Sequence, residues 1–285
     1  MVLFVSNTYL KGCNKIMMDV YSLGCMLFYI IIGSCVGSFL NVIIYRLPIM
    51  LTSVMLKNPV KYKEAEVFNR KITLCYPRSF CPKCYNPLRA WHNIPVFSWL
   101  FLRGTTHCCN QKISPRYLIV EIITAILTLA VIYCIKNDYI MIASLFLVWA
   151  LVALSFIDFE CYLLPDCITF PLLWAGLLFN INNGLSSLSF AVIGAVTGYL
   201  ILWMPYWLLK FFKGVEGMGH GDFKLMSALG AWFGLSAIPV LVLLSSCLGI
   251  MAYIILHKIS KKREKYIAFG PHIALAGVIY LFLNG

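Results

Sequence analysis

Two aspartates stand at positions where an ionised side chain is costly. Asp158 follows a long apolar run in ALSFIDFECYLLPD, and Asp222 precedes another apolar run in GMGHGDFKL. Ionisable residues at membrane depth are functional candidates by default. Two aspartates in a partly desolvated pocket share a proton, so one carboxylate can deprotonate a water while the other donates to a substrate carbonyl. The two residues therefore indicate the chemistry of an aspartic peptidase.

Glycines alternate with other residues just before the second aspartate, at Gly217, Gly219 and Gly221. Glycine lets the backbone take angles that other residues avoid, and it lets another chain approach closely. We therefore predict that these glycines adopt unusual backbone angles and leave room for the main chain of a peptide substrate beside Asp222.

Other ionisable residues near the two aspartates have structural interpretations as well. Asp222 could instead cap the helix that it begins, and Asp166, directly after Leu-Pro, suits a helix N-cap or a supporting role at the site. Lys224 could support the site or extend to the membrane surface. Four more residues are first interpreted structurally: Glu160 as a solvated loop residue, Glu121 as a partner of Arg116 or Arg89, His220 as polar packing, and His272 as a residue at a helix start.

A bundle of membrane helices must position these side chains. Of the 285 residues, 61% are hydrophobic and 12% are charged, whereas soluble domains have about 25% charged residues. Continuous apolar runs predict an all-α polytopic membrane protein of about eight transmembrane helices, since only helices and closed barrels satisfy the backbone in lipid. Six or seven is the alternative, because the fourth and sixth runs are short. The predicted spans are 23–45, 117–135, 139–157, 166–181, 187–212, 222–235, 236–257 and 267–283.

The spans divide the chain into four parts. Residues 1–22 form an N-terminal extension, and residues 23–45 form the first transmembrane helix. Residues 46–116 form a small cytoplasmic insertion that contains cysteines, and residues 117–285 form a transmembrane bundle.

The distribution of basic residues predicts the orientation of the bundle. The formal net charge is +12. With the N-terminus outside, 20 of the 23 Lys and Arg residues lie on the cytoplasmic side, which is the positive-inside pattern. The charge is therefore interpreted as a basic rim beside anionic lipid, and no nucleic-acid partner is expected.

Cysteines in the insertion have the spacing of a metal site. The segment CPKC contains Cys81 and Cys84, and the segment HCCN contains Cys108 and Cys109. Two pairs about 20 residues apart are typical of a structural zinc ribbon. A second C-x-x-C pair would need a cysteine at Thr106, so Cys108, or His107 instead, would have to serve as a ligand; the alternative is a loop with free thiols. Four cysteines within apolar spans are expected to be packing residues: Cys25, Cys35, Cys134 and Cys247.

Seven sequence blocks, in order, resemble the signature blocks of the type IV prepilin peptidases. They are GSFLNVIIYRLP (37–48), CPKC (81–84), NIPVFSWLFLRG (93–104), ISPRYLIVE (113–121), DFECYLLPD (158–166), GMGHGDFKL (217–225) and FGPHIALAG (269–277). This family of bacterial leader peptidases and N-methyltransferases belongs with the membrane aspartic proteases that carry a Gly-x-Gly-Asp motif.

The resemblance implies a bifunctional enzyme in the bacterial inner membrane. The family's catalytic aspartates match Asp158 and Asp222. The implied reaction removes the short basic leader of a prepilin or pseudopilin precursor on the cytoplasmic side, for a type IV pilus or type II secretion system. The new N-terminal residue is then methylated with S-adenosylmethionine. Glu160 or Glu216 would favour binding of the basic leader, and charge reversal at Glu216 that left the cleavage rate unchanged would count against this hypothesis.

Three alternative functions follow, either from positions at which this sequence departs from the family pattern or from the chemistry of its residues. Thr106 departs from the family's paired C-x-x-C pattern, and no glycine-rich donor-binding fingerprint is present, so a peptidase without methyltransferase activity is one alternative. An ion-coupled transporter is another, because buried aspartates also relay cations. A membrane thiol oxidoreductase using Cys81 and Cys84 is the third, and it leaves the Gly-Asp block unexplained.

Overall fold

The structure is a computed structural model that describes residues 2–55, 73–76, 78, 84, 87, 95–101, 104–106, 108–109, 112–214, 218–259 and 268–284. Helices form nearly all of it, and an isolated antiparallel β-bridge joins Thr105 to Lys112. The predicted all-α class is confirmed. Glu216 and Gly217, which the sequence also singled out, lie outside the described residues, as do Cys81, Arg89 and His107.

The first helix is longer than predicted. Helix α1 runs from Val2 to Met55, with Pro48 inside it. The helix therefore continues past the predicted end of the first span into the segment assigned to the insertion, and the boundary between these two parts of the chain stays a prediction. Arg46 does not end the helix, since its side chain is buried and donates to the carbonyls of Thr73 (2.9 Å) and Leu74 (3.0 Å).

Among the residues that the structure describes, a short helix in the insertion, α2 (Phe97–Phe101), is followed by seven longer helices. They are α3 (Arg116–Cys134), α4 (Asp138–Cys161), α5 (Asp166–Asn180), α6 (Leu188–Lys213), α7 (His220–Phe233), α8 (Ala237–Ile259) and α9 (Gly270–Asn284). Each lies within a few residues of a predicted span.

Five helices within the described part of the chain are long and apolar enough to cross a membrane: α1 over Gly24–Leu51, α3, α4, α6 and α8. Helices α5, α7 and α9 have 15, 14 and 15 residues. A 15-residue helix is about 22 Å long, which is less than the hydrocarbon thickness of about 30 Å. The chain is a multi-pass membrane protein, and the count of eight spans stays a prediction.

The helices alternate in direction, so their ends meet at two ends of the bundle. Asp158 near the end of α4 contacts Gly270 at the start of α9, and Lys224 near the start of α7 contacts Asp166 at the start of α5. We call this the aspartate end. Lysines in the last turn of α6 and in the last turn of α8 lie at the same end, as the predicted cytoplasmic orientation requires.

Helix α7 forms the centre of the core, and every residue from Leu225 to Phe233 in it is buried. Gly194 of α6 and Gly230 of α7 bring these two helices into backbone contact: a Cβ at Gly230 would lie 2.2 Å from the Gly194 carbonyl oxygen. Small residues allow such close approach between membrane helices. Trp232 of α7 is 1% exposed and donates from Nε1 to the Leu172 carbonyl (2.8 Å). The start of α7, with Asp222, is therefore held on a fixed helix.

The outer surface of the bundle is apolar. Large side chains such as Phe39 and Ile250 are 56% and 60% exposed. The expectation that four cysteines are buried packing residues is wrong, because all four are exposed: Cys25, Cys35, Cys134 and Cys247. Lipid tails are as apolar as a protein core. An apolar residue in a membrane helix can therefore face either the lipid or the interior of the bundle.

Candidate active site at the aspartate end

The two aspartates of the sequence prediction lie together in the structure. Asp158 is in the last turn of α4, and Asp222 is the third residue of α7. Each residue is 6% exposed. Leu164 lies against both Gly221, which precedes Asp222, and Gly270, whose N–H bonds Asp158, so the two aspartates belong to one site. Asp222 is not the N-cap of α7, which is Gly219, but from the third helical position its carboxylate interacts with the Gly219 backbone N–H, so it also supports the start of the helix, as the capping interpretation expected.

Asp158 has a backbone partner that the sequence analysis missed. The N–H of Gly270, the first residue of α9, donates to Asp158 Oδ2 over 3.0 Å. A Cβ at Gly270 would lie 2.6 Å from the same oxygen. Residue 270 is therefore glycine because the start of α9 lies directly against the carboxylate. The sequence signal was the FGPH segment, which begins a helix without a polar capping side chain.

Leu164, in the loop between α4 and α5, packs between the segments that carry the site. It is 7% exposed. A Cβ at Gly221 would lie 2.6 Å from Leu164 Cβ, and a Cβ at Gly270 would lie 3.2 Å from Leu164 Cδ1. The Leu-Pro loop thus fixes the starts of α7 and α9 against each other.

The expectation of unusual backbone angles at the glycines is wrong for the two that the structure describes. Gly219 has φ −76° and ψ 142°, which is ordinary extended backbone, and Gly221 lies within α7. Gly221 gives space to Leu164. Gly219 does have open space, since an added Cβ would meet only Asp222 Oδ2 within 4 Å, at 3.6 Å. Room for a substrate chain beside Gly219 stays a prediction.

Asp166 and Lys224 form an ion pair beside the site. Lys224 Nζ lies 2.6 Å from Asp166 Oδ1, and it also lies 5.2 Å from the centre of the Phe170 ring. The prediction that Asp166 is an N-cap is wrong by one residue, since Pro165 is the N-cap and Asp166 is in the first turn. A carboxylate there still interacts favourably with the helix dipole. The pair joins the starts of α5 and α7.

The predicted pairing of Glu121 with Arg116 is wrong, and the alternative partner, Arg89, lies outside the described residues. Arg116 pairs with Glu160, which is exposed, as predicted, but lies in the last turn of α4 rather than in a loop. Glu121 is 8% exposed and accepts a hydrogen bond at Oε2 from the Val96 N–H over 2.8 Å. Val96 has a φ of 59°, which is unfavourable for a β-branched residue. Glu121 therefore stabilises a strained turn and attaches the insertion to α3.

The predictions for the two histidines near the site are confirmed: His220 has a packing role, and His272 lies at a helix start. The His220 ring contacts Tyr206 and Phe223 edge-on or tilted, with ring centres 5.1 and 5.6 Å apart. His272 lies in the first turn of α9, and its Nδ1 is 3.1 Å from the Ala268 carbonyl oxygen. Neither contact places an imidazole against the two aspartates.

Three thiols of the insertion lie together. The Sγ atoms of Cys84, Cys108 and Cys109 are all within 4.8 Å of one another. Cys108 Sγ is 3.2 Å from Cys84 Sγ, and Cys109 Sγ is 3.2 Å from Thr106 Oγ1. Three sulfurs at this spacing fit the tetrahedral Cys coordination of zinc, whose Zn–S bonds are about 2.3 Å. Cys108 thus stands beside Cys84 where the sequence pattern would have needed a cysteine at position 106.

The comparisons with known proteins cover both halves of the chain. Residues 31–135 match the Bacterial Peptidase A24 N-terminal domain, and residues 145–254 match the Type IV leader peptidase family. No solved structure matches the chain.

The chain is also similar to curated proteins called prepilin leader peptidase/N-methyltransferase. It is 48% identical to that of Aeromonas hydrophila over 250 residues, 86% of each chain. It is 43% identical to that of Neisseria gonorrhoeae over 257 residues, 89% of each chain. The protein of Dickeya chrysanthemi is 41% identical over 263 residues, 91% of this chain and 93% of the relative. The transporter and oxidoreductase alternatives are therefore not favoured.

Proposed function

Because this chain belongs to the type IV leader peptidase family, we propose that Asp158 and Asp222 are the catalytic pair with which it cleaves prepilins. The chain is a membrane enzyme of prepilin processing, with peptidase and N-methyltransferase activity. The observation that supports the assignment of the pair is that two buried aspartates, 64 positions apart in sequence, lie at one end of the bundle, beside helix ends that are both in contact with Leu164.

The pair acts on water and on the scissile carbonyl together. Two neighbouring carboxyl groups in a desolvated site hold one proton between them. The ionised group takes a proton from the attacking water, and the protonated group donates to the carbonyl oxygen of the substrate. The Gly270 N–H holds Asp158 Oδ2 in one orientation through the reaction. A backbone N–H that is already in position does not have to reorient when charge develops in the transition state.

The substrate lies with its apolar stem in the membrane and its basic leader in the cytoplasm. Cleavage occurs at the aspartate end, where the basic ends of α6 and α8 also lie. The open space at Gly219 next to Asp222 is the place at which the leader's main chain passes the pair. The substrates are prepilins or pseudopilins of a type IV pilus or type II secretion system, and the enzyme works in the bacterial inner membrane.

The ion pair of Asp166 and Lys224 lies beside the catalytic pair and helps to hold the start of α7 against the start of α5. Lys224 is two residues after Asp222, and side chains two apart on a helix point in different directions. Lys224 therefore reaches α5 while Asp222 faces α4. The Asp166 side chain is 56% exposed. Exposed ion pairs contribute little to the free energy of folding, so this pair stabilises the protein only modestly.

The methyltransferase activity requires S-adenosylmethionine, which supplies a methyl group on a positively charged sulfur. The new N-terminal amine of the cleaved pilin accepts that group. The insertion contributes to this second activity, and zinc bound by Cys84, Cys108 and Cys109, with Cys81 as the fourth ligand, gives the insertion its stability. A segment of this size has little core of its own, so metal binding supplies folding free energy.

Zinc binding is tested by one substitution and its control. We expect Cys108→Ser to lower the zinc content of the purified protein from about one ion per chain to a small fraction of that, because it removes one of four thiolate ligands. Cys75→Ser changes an exposed cysteine outside the three-thiol cluster and leaves zinc content unchanged. The measurement is elemental analysis of protein purified without added zinc. Equal zinc content in both variants would contradict the assignment of Cys108.

The proposed function is tested by following the mass of a prepilin in membranes that contain the purified enzyme. We expect loss of the leader, followed by a mass increase of one methyl group when S-adenosylmethionine is present. The family resemblance implies cleavage after the glycine that ends the leader, so a prepilin with a bulky residue in place of that glycine serves as the matched control and stays intact. If several prepilins stay intact with folded enzyme, the proposal is wrong. If cleavage occurs without methylation, the chain is a peptidase alone.

A further inference from the structure

A cavity of about 270 Å³ lies where the insertion joins the helix bundle. Residues of α1, the start of α3 and the end of α4 line it: Ile44, Tyr45, Ser114, Arg116, Tyr117 and Glu160. Pockets for whole drug-sized ligands begin at about 300 Å³. The cavity is therefore sized for part of such a ligand, and the rest would extend through its open side.

The cavity presents both charges at fixed positions. Arg116 Nη1 pairs with Glu160 Oε2, and the side chains of these residues are 14% and 35% exposed. The Arg116 guanidinium also stacks 4.6 Å from the centre of the Tyr117 ring. Its Nε is buried and has no hydrogen-bond partner within the described part of the chain. A buried donor without a partner costs free energy, and a guanidinium has five N–H donors, so Arg116 can accept an anionic group in addition to Glu160.

We propose that this cavity binds the amino-acid end of the methyl donor, S-adenosylmethionine. The inference rests on the methyltransferase activity of the proposed function. The amino-acid end carries a carboxylate and an ammonium group on one carbon atom. Arg116 binds the carboxylate, which suits the planar guanidinium, and Glu160 binds the ammonium. The adenosine end extends through the open side of the cavity.

The cavity lies beside the proposed cleavage site and separate from it. Glu160 is two residues after Asp158, and side chains two apart on a helix point in different directions. The cleaved N-terminus therefore moves around the end of α4, a distance on the order of one helix diameter, about 10 Å. There the neutral amine nitrogen bonds the methyl carbon and displaces the neutral thioether, which keeps the electron pair of the broken carbon–sulfur bond. The methylated amine then equilibrates its proton with water.

The position of the cavity fits the division of the chain. Arg116 lies in the segment that matches the N-terminal domain, and Glu160 lies in the segment that matches the leader peptidase family. The ion pair that lines the cavity joins the two segments. A donor bound between them is next to the peptidase without entering it.

The test compares a ligand that has the amino-acid end with one that lacks both this end and the positive charge on sulfur, so the inference is judged from the change that each variant causes for each ligand. S-Adenosylmethionine has the amino-acid end, and 5′-methylthioadenosine lacks it. Binding of each is measured by calorimetry with the full chain in lipid nanodiscs, for the wild type, Arg116→Gln, Glu160→Gln and Arg116→Lys. Lys136→Gln, at the opposite end of the bundle, is the control. We expect Arg116→Gln and Glu160→Gln to weaken S-adenosylmethionine binding about tenfold to a hundredfold, the size of a lost charged hydrogen bond. The affinity for 5′-methylthioadenosine stays unchanged.

The other outcomes are separable. Equal weakening of both ligands, or of neither, overturns the inference. Weaker binding of a prepilin peptide by Arg116→Gln with unchanged donor binding also overturns it and assigns the cavity to the leader.

Arg116→Lys keeps the charge, and its melting temperature shows whether the ion pair survives; weaker donor binding at an unchanged melting temperature supports the inference. If the wild type cuts prepilins and binds no donor, the inference fails and the peptidase stands. If it binds the donor and cuts nothing, the peptidase assignment fails and the donor site stands.

Discussion

Replacing either aspartate with asparagine is expected to slow leader removal by at least about a thousandfold, within the range for loss of a general acid or base. Asparagine has the shape of aspartate, so the substitution removes the ionisable group and keeps the packing around a residue that is 6% exposed. In Asp158→Asn the Gly270 N–H can still donate to the side-chain oxygen. In Asp222→Asn the remaining carboxylate has no proton-sharing partner. The measurement is the rate of leader loss from a prepilin, followed by mass.

The control for this prediction is a third aspartate at the same end of the bundle. Asp166→Asn removes an exposed ion pair with Lys224, and such a pair contributes about 0–1 kcal/mol. We expect it to change the rate less than about tenfold. Methylation of a pilin that has already been cut should persist in Asp158→Asn and Asp222→Asn, which shows that the variants are folded. A rate within tenfold of the wild type for either of these two variants would contradict the proposed mechanism.

The helices could be predicted from the sequence because each follows a continuous apolar run. The predicted span 139–157 corresponds to α4, and the predicted span 236–257 corresponds to α8. The end of α1 could not be predicted in this way. Arg46 and Pro48 resemble the end of a span, but Arg46 is satisfied by two carbonyls of the insertion, which no local pattern reveals.

The two aspartates could be predicted from their type and position, whereas their surroundings could not. An apolar pattern does not distinguish a lipid-facing side chain from a core one, which is why Cys134 was expected to be buried and is exposed. Arg116 has Glu121 five residues away, yet it pairs with Glu160 on another helix. The bond from Gly270 to Asp158 joins residues 112 positions apart. Only the packing of α4 against α9 creates that contact.

Gly270→Ala is expected to lower the rate of leader removal about a hundredfold, the effect of displacing a catalytic group by roughly 1 Å. The added Cβ would lie 2.6 Å from Asp158 Oδ2 and 3.2 Å from Leu164 Cδ1. Neither neighbour can move away easily, because Asp158 and Leu164 are both buried. Alanine favours a helix more than glycine does, so the loss comes from the contact with the carboxylate.

The matched control is Gly249→Ala, in the middle of α8. A Cβ there would lie 3.5 Å from the Phe269 ring, which is ordinary van der Waals contact. We expect this variant to cut at nearly the wild-type rate. The comparison uses initial rates of leader loss together with melting temperatures, so that a displaced carboxylate is distinguished from an unfolded bundle. If Gly270→Ala cuts as fast as Gly249→Ala, the start of α9 does not position Asp158, and the backbone donor at residue 270 has no role in the reaction.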